Sequence, residues 1–169
     1  MMNITECREI YRNVFRDEDT AFEDLLFKNC SQYLKVLCDG EDTASMLFLM
    51  PVSLDSQKNI KGAYLYAAAT KPEYRKRGYM SALINSILNE YDFILLRPAT
   101  ASLIDYYSKL GFKTIEVRKT AYAEIKPLDG YEKLVQECSI SDNGEQYTAM
   151  YYSNIPLKLK EIQFNYSMN

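Results

Sequence analysis

Residues 74–80 read YRKRGYM, and they hold the residue types best suited to chemistry: Arg75, Lys76 and Arg77 stand directly before Gly78. The chain's formal net charge is −3, so this local excess of cations runs against the whole. Guanidinium groups grip phosphate oxygens in pairs and an ammonium adds a point charge, so the cluster suits a polyanion. It equally suits a solvated face, the common fate of a charge run, and the neighbouring elements must decide. Histidine is absent, which removes histidine-activated nucleophiles and histidine-containing zinc sites. Cys7, Cys30, Cys38 and Cys138 form no CxxC pair and sit in apolar or periodic surroundings, so they read as small reduced hydrophobes. No metal is expected.

The elements around the basic run favour a ligand. KGAYLYAAAT (61–70) is a continuous apolar run too short for a typical helix, and a buried strand is expected there. After the run, Met80, Leu83, Ile84, Ile87 and Leu88 repeat the one-face stripe of a helix. The cations therefore lie between a strand and a helix N-terminus, where unpaired N–H groups and the positive end of the dipole attract anions. Gly78, lacking a Cβ, permits unusual backbone angles and close approach of a ligand. A diphosphate would use all three features.

Further elements follow from periodicity. Cys7, Ile10, Tyr11, Val14 and Phe15 share a helical face; so do Phe22, Leu25 and Leu26, with Asp19 or Thr20 as cap. Asp39-Gly40 separates two strand-like runs and predicts a hairpin. FILL (93–96) is a second buried strand, and strand–helix–strand implies a right-handed parallel crossover. Leu103, Tyr106, Tyr107 and Leu110 mark another helix, capped by Thr100 or Ser102 and ended at Gly111. FKTIEVRKTAYAEI (112–125) alternates as a strand. The tail offers a short helix at 131–137, a turn at 142–144 and a strand at 146–152.

PEYRKRGYM resembles the cofactor signature [RQ]-x-x-G-x-[GA] of the GCN5-related N-acetyltransferase (GNAT) superfamily, with Arg75 first and Gly78 central. Met80 departs from the Gly or Ala of the last position. IDYYSKLGF (104–112) is similar to the family's FYxKxGF segment, and the order of elements over 61–112 matches throughout. ASMLFLMPVSL and ATKPEYR resemble a bacterial branch that tolerates a bulky residue at the Met80 position. The first 32 residues match in helical arrangement only, and 113–169 carry no placed motif.

The resemblance implies an α/β (α+β) fold: a mixed, mostly antiparallel twisted sheet flanked by helices, with a splayed parallel pair at the cofactor cleft. It implies acetyl-CoA as co-substrate, its pantetheine arm pairing with backbone around Ala68, Ala69 and Thr70. The diphosphate would be held by Arg75, Lys76, Arg77, Gly78, Tyr79 and Met80, with Thr100 in the place where relatives often have Asn. Tyr107 takes the family position of the acid that protonates the leaving thiolate, a step a phenol can perform. Its place on a packing stripe keeps a purely structural role open. Residues 61–70 contain no carboxylate, and Glu41, Asp42 and Asp55 fall in turns, so the base stays unassigned.

At 169 residues one domain is expected over 1–169, with its motifs in 33–125. No apolar run spans a membrane and no signal-peptide core opens the chain, so a cytoplasmic location is expected. The net negative charge argues against general nucleic-acid binding. The reading is an N-acetyltransferase acting on a small-molecule or peptide amine, with a homodimer compatible. The rivals are a CoA-binding module without turnover and an interaction domain whose basic loop is bare surface.

Overall fold

Asp39-Gly40 does turn the chain, joining strands β1 (Leu34–Asp39) and β2 (Asp42–Leu54), with Gly40 at φ +63°. The computed structural model describes residues 3–16, 18–54, 57–117, 147–157 and 164–166. The expected helix at 131–137, the turn at 142–144, Cys138 and the strand beyond Val117 lie outside them. Around the hairpin come α1 (Ile4–Phe15), α2 (Thr20–Asn29), β3 (Gln57–Thr70), α3 (Tyr79–Ile87), β4 (Phe93–Leu96), α4 (Ala101–Lys109), β5 (Lys113–Val117), β6 (Tyr147–Ser153) and β7 (Phe164–Tyr166).

The strand order is β1-β2-β3-β4-β6-β5, and β7 pairs with β2 off this path. β3 and β4 run parallel, with Gly62 opposite Phe93, Ala63 opposite Ile94 and Tyr64 opposite Leu95. The β1–β2, β2–β7, β4–β6 and β5–β6 ladders are antiparallel. This is the expected mixed sheet with one parallel pair.

The chain divides into two compact units, Met1–Met50 with Leu65–Ile87 and Pro51–Tyr64 with Leu88–Asn169. In the first, Met46 to Met50 are all buried, which is why β2 reads as an unbroken apolar run instead of alternating. Phe27 stands edge-on to Phe48 at 5.3 Å, and Tyr11 edge-on to Phe27 at 5.8 Å. Asp19 caps α2 by accepting from Phe22 N–H at 2.9 Å, and Asn3 caps α1. Cys7, Ile10 and Tyr11 are buried as the stripe requires, but Phe15, in the last turn, is exposed and rests on Tyr11 at 4.9 Å.

Sequence periodicity did not signal the ion cluster between α1 and α2. Glu23 is only 1% exposed, and Arg12 grips it twice, at 2.7 Å from Nε and 2.8 Å from Nη2. Arg8 adds contacts to Glu23 at 3.3 Å and to Asp24. In the second unit all four residues of β4 are buried. A Cβ on Gly62 would sit 2.1 Å from the Phe93 ring and 2.7 Å from the Val52 carbonyl, so only glycine fits there.

Candidate functional site

The basic loop belongs to the first unit and is built by β3, a 3-10 turn at Pro72–Tyr74 and α3. β3 is not buried throughout as expected: Gly62 to Leu65 and Ala69 are buried, whereas Ala67, Ala68 and Thr70 are half-exposed. Ala67 takes φ +52°, a left-handed kink uncommon for a side-chain-bearing residue and cheapest for a small one. The kink breaks regular extended geometry just where Ala68, Ala69 and Thr70 follow.

Two further left-handed residues lie in the loop, Lys76 at φ +60° and Gly78 at φ +85°, with Arg77 between them on the ordinary side. Backbone that alternates hand over successive residues turns its N–H groups into one concavity, a form suited to anions. The Gly78 carbonyl accepts from Ala82 N–H at 2.9 Å, so α3 starts here, with the N–H groups of Tyr79 and Met80 in its first turn. A Cβ built on Gly78 would meet nothing within 4 Å, so the space beside it is open. Glycine is required there by its dihedral alone.

The three cations are not equivalent. Arg75, Lys76 and Arg77 are all exposed. Arg75 donates from Nε to the Thr70 carbonyl at 3.2 Å, which aims the rest of its guanidinium away from that bond. Arg77 lies 5.3 Å from the ring centres of both Tyr74 and Tyr79 and 3.6 Å from an Asp39 carboxylate oxygen. Tyr74 and Tyr79 meet edge-on at 5.3 Å, and the Tyr74 hydroxyl donates to Asp42 at 3.0 Å. That bond holds the Tyr74 phenol above its ordinary pKa, and Asp39 does the same to Tyr79. Asp42, one of the carboxylates considered as a base, is thus engaged with the loop.

At the foot of the loop, the β1–β2 register skips Ala44, whose carbonyl accepts from Lys71 N–H at 3.0 Å. Thr43 N–H donates to Glu6 of α1 at 2.9 Å, and hydrogen bonding to Thr43 lowers the Glu6 pKa. Ser45 and Thr70 hydroxyls lie 2.8 Å apart. The bulge therefore ties α1, β2 and the end of β3 together.

Tyr107 belongs to α4 in the second unit, and Thr100 directly precedes that helix. Thr100 occupies the N-cap position, but its hydroxyl meets Ser102 Oγ at 2.9 Å instead of capping the helix. At the other end, Gly111 N–H donates to the Ser108 carbonyl at 3.0 Å and Phe112 N–H to the Tyr107 carbonyl at 3.1 Å. This is the Schellman closure, and the Phe112 ring stands 5.7 Å from Tyr107 to complete its apolar contact. The Gly-Phe pair thus has a backbone reason.

Tyr107 is 7% exposed and lies 5.2 Å from the Tyr106 ring. Among the described residues its hydroxyl has no hydrogen-bond partner. Burial, with Tyr106 adding to it, pushes the phenol up to about 12, so it stays protonated at neutral pH. Residues 68–70 and 75–80 are contiguous with the loop in one unit, whereas Thr100 and Tyr107 mark the two ends of a helix in the other. Asp39, Tyr74 and the kink at Ala67 were not foreseen; a carboxylate on each side of the Asp-Gly turn was the one available signal.

Residues 2–115 match the family model described as an acetyltransferase (GNAT) domain. A curated relative, N-alpha-acetyltransferase 50 of Danio rerio, is 31% identical over 86 residues, 46% of this chain and 51% of the relative. A solved GCN5-related N-acetyltransferase of Anabaena variabilis is 23% identical with a TM-score of 0.55, covering 70% of this chain and 33% of its own. A GNAT family N-acetyltransferase of Escherichia coli, solved with CoA, has a TM-score of 0.60 at 14% identity and covers 96% of this chain and 83% of its own. The chain thus spans about half the length of the Danio rerio relative and a third of that from Anabaena variabilis. With the family model matched over residues 2–115 and the mixed sheet in place, the chain belongs to the GNAT acetyltransferase family.

Proposed function

We propose that the chain transfers an acetyl group from acetyl-CoA to a primary amine. The observation that carries the reading is the alternating-hand backbone at Lys76–Gly78, opening onto free space at the start of α3. It fits a diphosphate in shape and charge. Lys76 and the free edge of Arg75 are the cations assigned to the phosphates, with N–H groups at Gly78, Tyr79 and Met80 lining the cradle. Ala68, Ala69 and Thr70 offer backbone to the pantetheine amides beside the kink. Solved GNAT relatives hold CoA, which supports the ligand.

In the transfer, the amine nitrogen attacks the thioester carbonyl carbon, a C–N bond forms, and the C–S bond breaks with its electron pair passing to sulfur. The amine nitrogen loses one proton to solvent and the departing sulfur takes one from solvent, so the protons balance. Tyr107 is assigned to the sulfur. Full transfer from a phenol at about 12 to a thiolate near 8.5 runs uphill by roughly 5 kcal/mol. Its role is therefore to hydrogen-bond the charge developing on sulfur, where a neutral, water-poor donor acts most strongly. The relative's name, an N-alpha-acetyltransferase, supports an amine acceptor, and a peptide amine is the first class to try.

A second reading, a CoA-binding module without turnover, is favoured by one observation: residues 61–70 carry no carboxylate to serve as base. Following free thiol from acetyl-CoA across a panel of peptide and small-molecule amines separates the two. Amine-dependent thiol release supports transfer; CoA binding with no release over the whole panel supports the module.

A further inference from the structure

The loop holds Lys76 in a left-handed conformation that a lysine does not choose alone, so neighbouring contacts must impose it. Those contacts converge on the β1–β2 turn. Tyr74, two residues before Lys76, donates to Asp42 at 3.0 Å. Arg77, directly after it, pairs with Asp39 at 3.6 Å and lies over the rings of Tyr74 and Tyr79 at 5.3 Å each. The two aspartates sit on the two sides of Gly40, whose φ of +63° closes the hairpin. Both loop arms are thus fastened to one two-strand turn, with Lys76 between the fastenings and Gly78 directly after the second.

We propose that Asp39 and Asp42 are positioning residues for the CoA loop, acting through Arg77 and Tyr74 and touching no phosphate themselves. The inference rests on the reading of Arg75–Met80 as the diphosphate cradle. It also reassigns Arg77: its guanidinium fastens the loop, and phosphate binding falls to Arg75, Lys76 and the backbone. Bare electrostatics predicts the opposite of this inference, since a carboxylate beside a phosphate site repels the ligand and its removal should tighten binding. The sign of the effect therefore decides.

The test measures CoA affinity by calorimetry, and KM and kcat for acetyl-CoA, in Asp39→Asn, Asp42→Asn and the double variant. High salt screens the change in bare charge. The double variant should weaken CoA on the order of tenfold, raise KM by a similar factor and leave kcat within about twofold. Tyr74→Phe, which removes one hydroxyl and keeps the ring, should weaken CoA about threefold and decides the matter should the double variant not fold. Unchanged or tighter CoA binding in these variants overturns the inference, as does a lower melting temperature with unchanged affinity. If the unaltered protein binds no CoA, the cradle reading fails first and the clamp falls with it.

Discussion

Single residues carry opposite demands in this molecule. Tyr107 closes the C-terminus of α4 through its carbonyl and its ring, and these leave only the hydroxyl for chemistry. Tyr107→Phe keeps the closure but removes the donor to the sulfur, and should lower turnover on the order of 10²-fold with acetyl-CoA affinity little changed. Steady-state kinetics check this, and Tyr106→Phe should be nearly silent. Crippled turnover in Tyr106→Phe with normal Tyr107→Phe would contradict the assignment. Lys76 shows the conflict differently. Lys76→Gly relieves the left-handed strain and should raise stability by about 1 kcal/mol in urea unfolding, while weakening CoA several-fold through the lost charge.

Elements were legible where their physics is local. Of the stripe Met80, Leu83, Ile84, Ile87 and Leu88, all but the half-exposed Met80 are buried, because a helix must hide one face whatever it packs against. The Gly-Phe ending of α4 was legible for the same reason, and so was the cap at Asp19. Partners far apart in sequence were not: Glu23 reads as a surface carboxylate until α1 brings Arg12 against it, and nothing local announces that Asp42 binds Tyr74. The kink at Ala67 is equally silent, since three alanines fit a regular strand as well. Two consequences can be measured. Arg12→Met leaves the buried Glu23 carboxylate with Arg8 as its remaining cation and should lower stability in urea unfolding. Pairing it with Glu23→Leu should recover most of that. Gly62→Ala should cost at least as much, because both the Phe93 ring and the Val52 carbonyl would have to move.

For the molecule as a whole, no helix among the described residues is long and apolar enough to cross a membrane. Its pH response follows from its shifted groups. Burial raises Cys7 and Cys30 to about 11 and Tyr107 to about 12. Each keeps its proton when folded but loses it more readily when unfolded, so their contribution is complete below pH 9 and is lost as pH climbs from 9 to 12. Glu6 and Asp24 are lowered, by hydrogen bonds to Thr43 and to Arg8, so their contribution is present above their ordinary range and is lost as pH falls below it through the lowered folded-state values. Melting temperature against pH should therefore show a plateau that falls on both sides. Titration calorimetry of CoA into the protein and into Gly78→Val tests whether the Lys76–Gly78 cradle binds CoA. One CoA should bind per chain, more weakly as salt rises, with no binding heat in a Gly78→Val protein that circular dichroism shows to be folded. No heat with the unaltered protein, or equal affinity in the two, would contradict it.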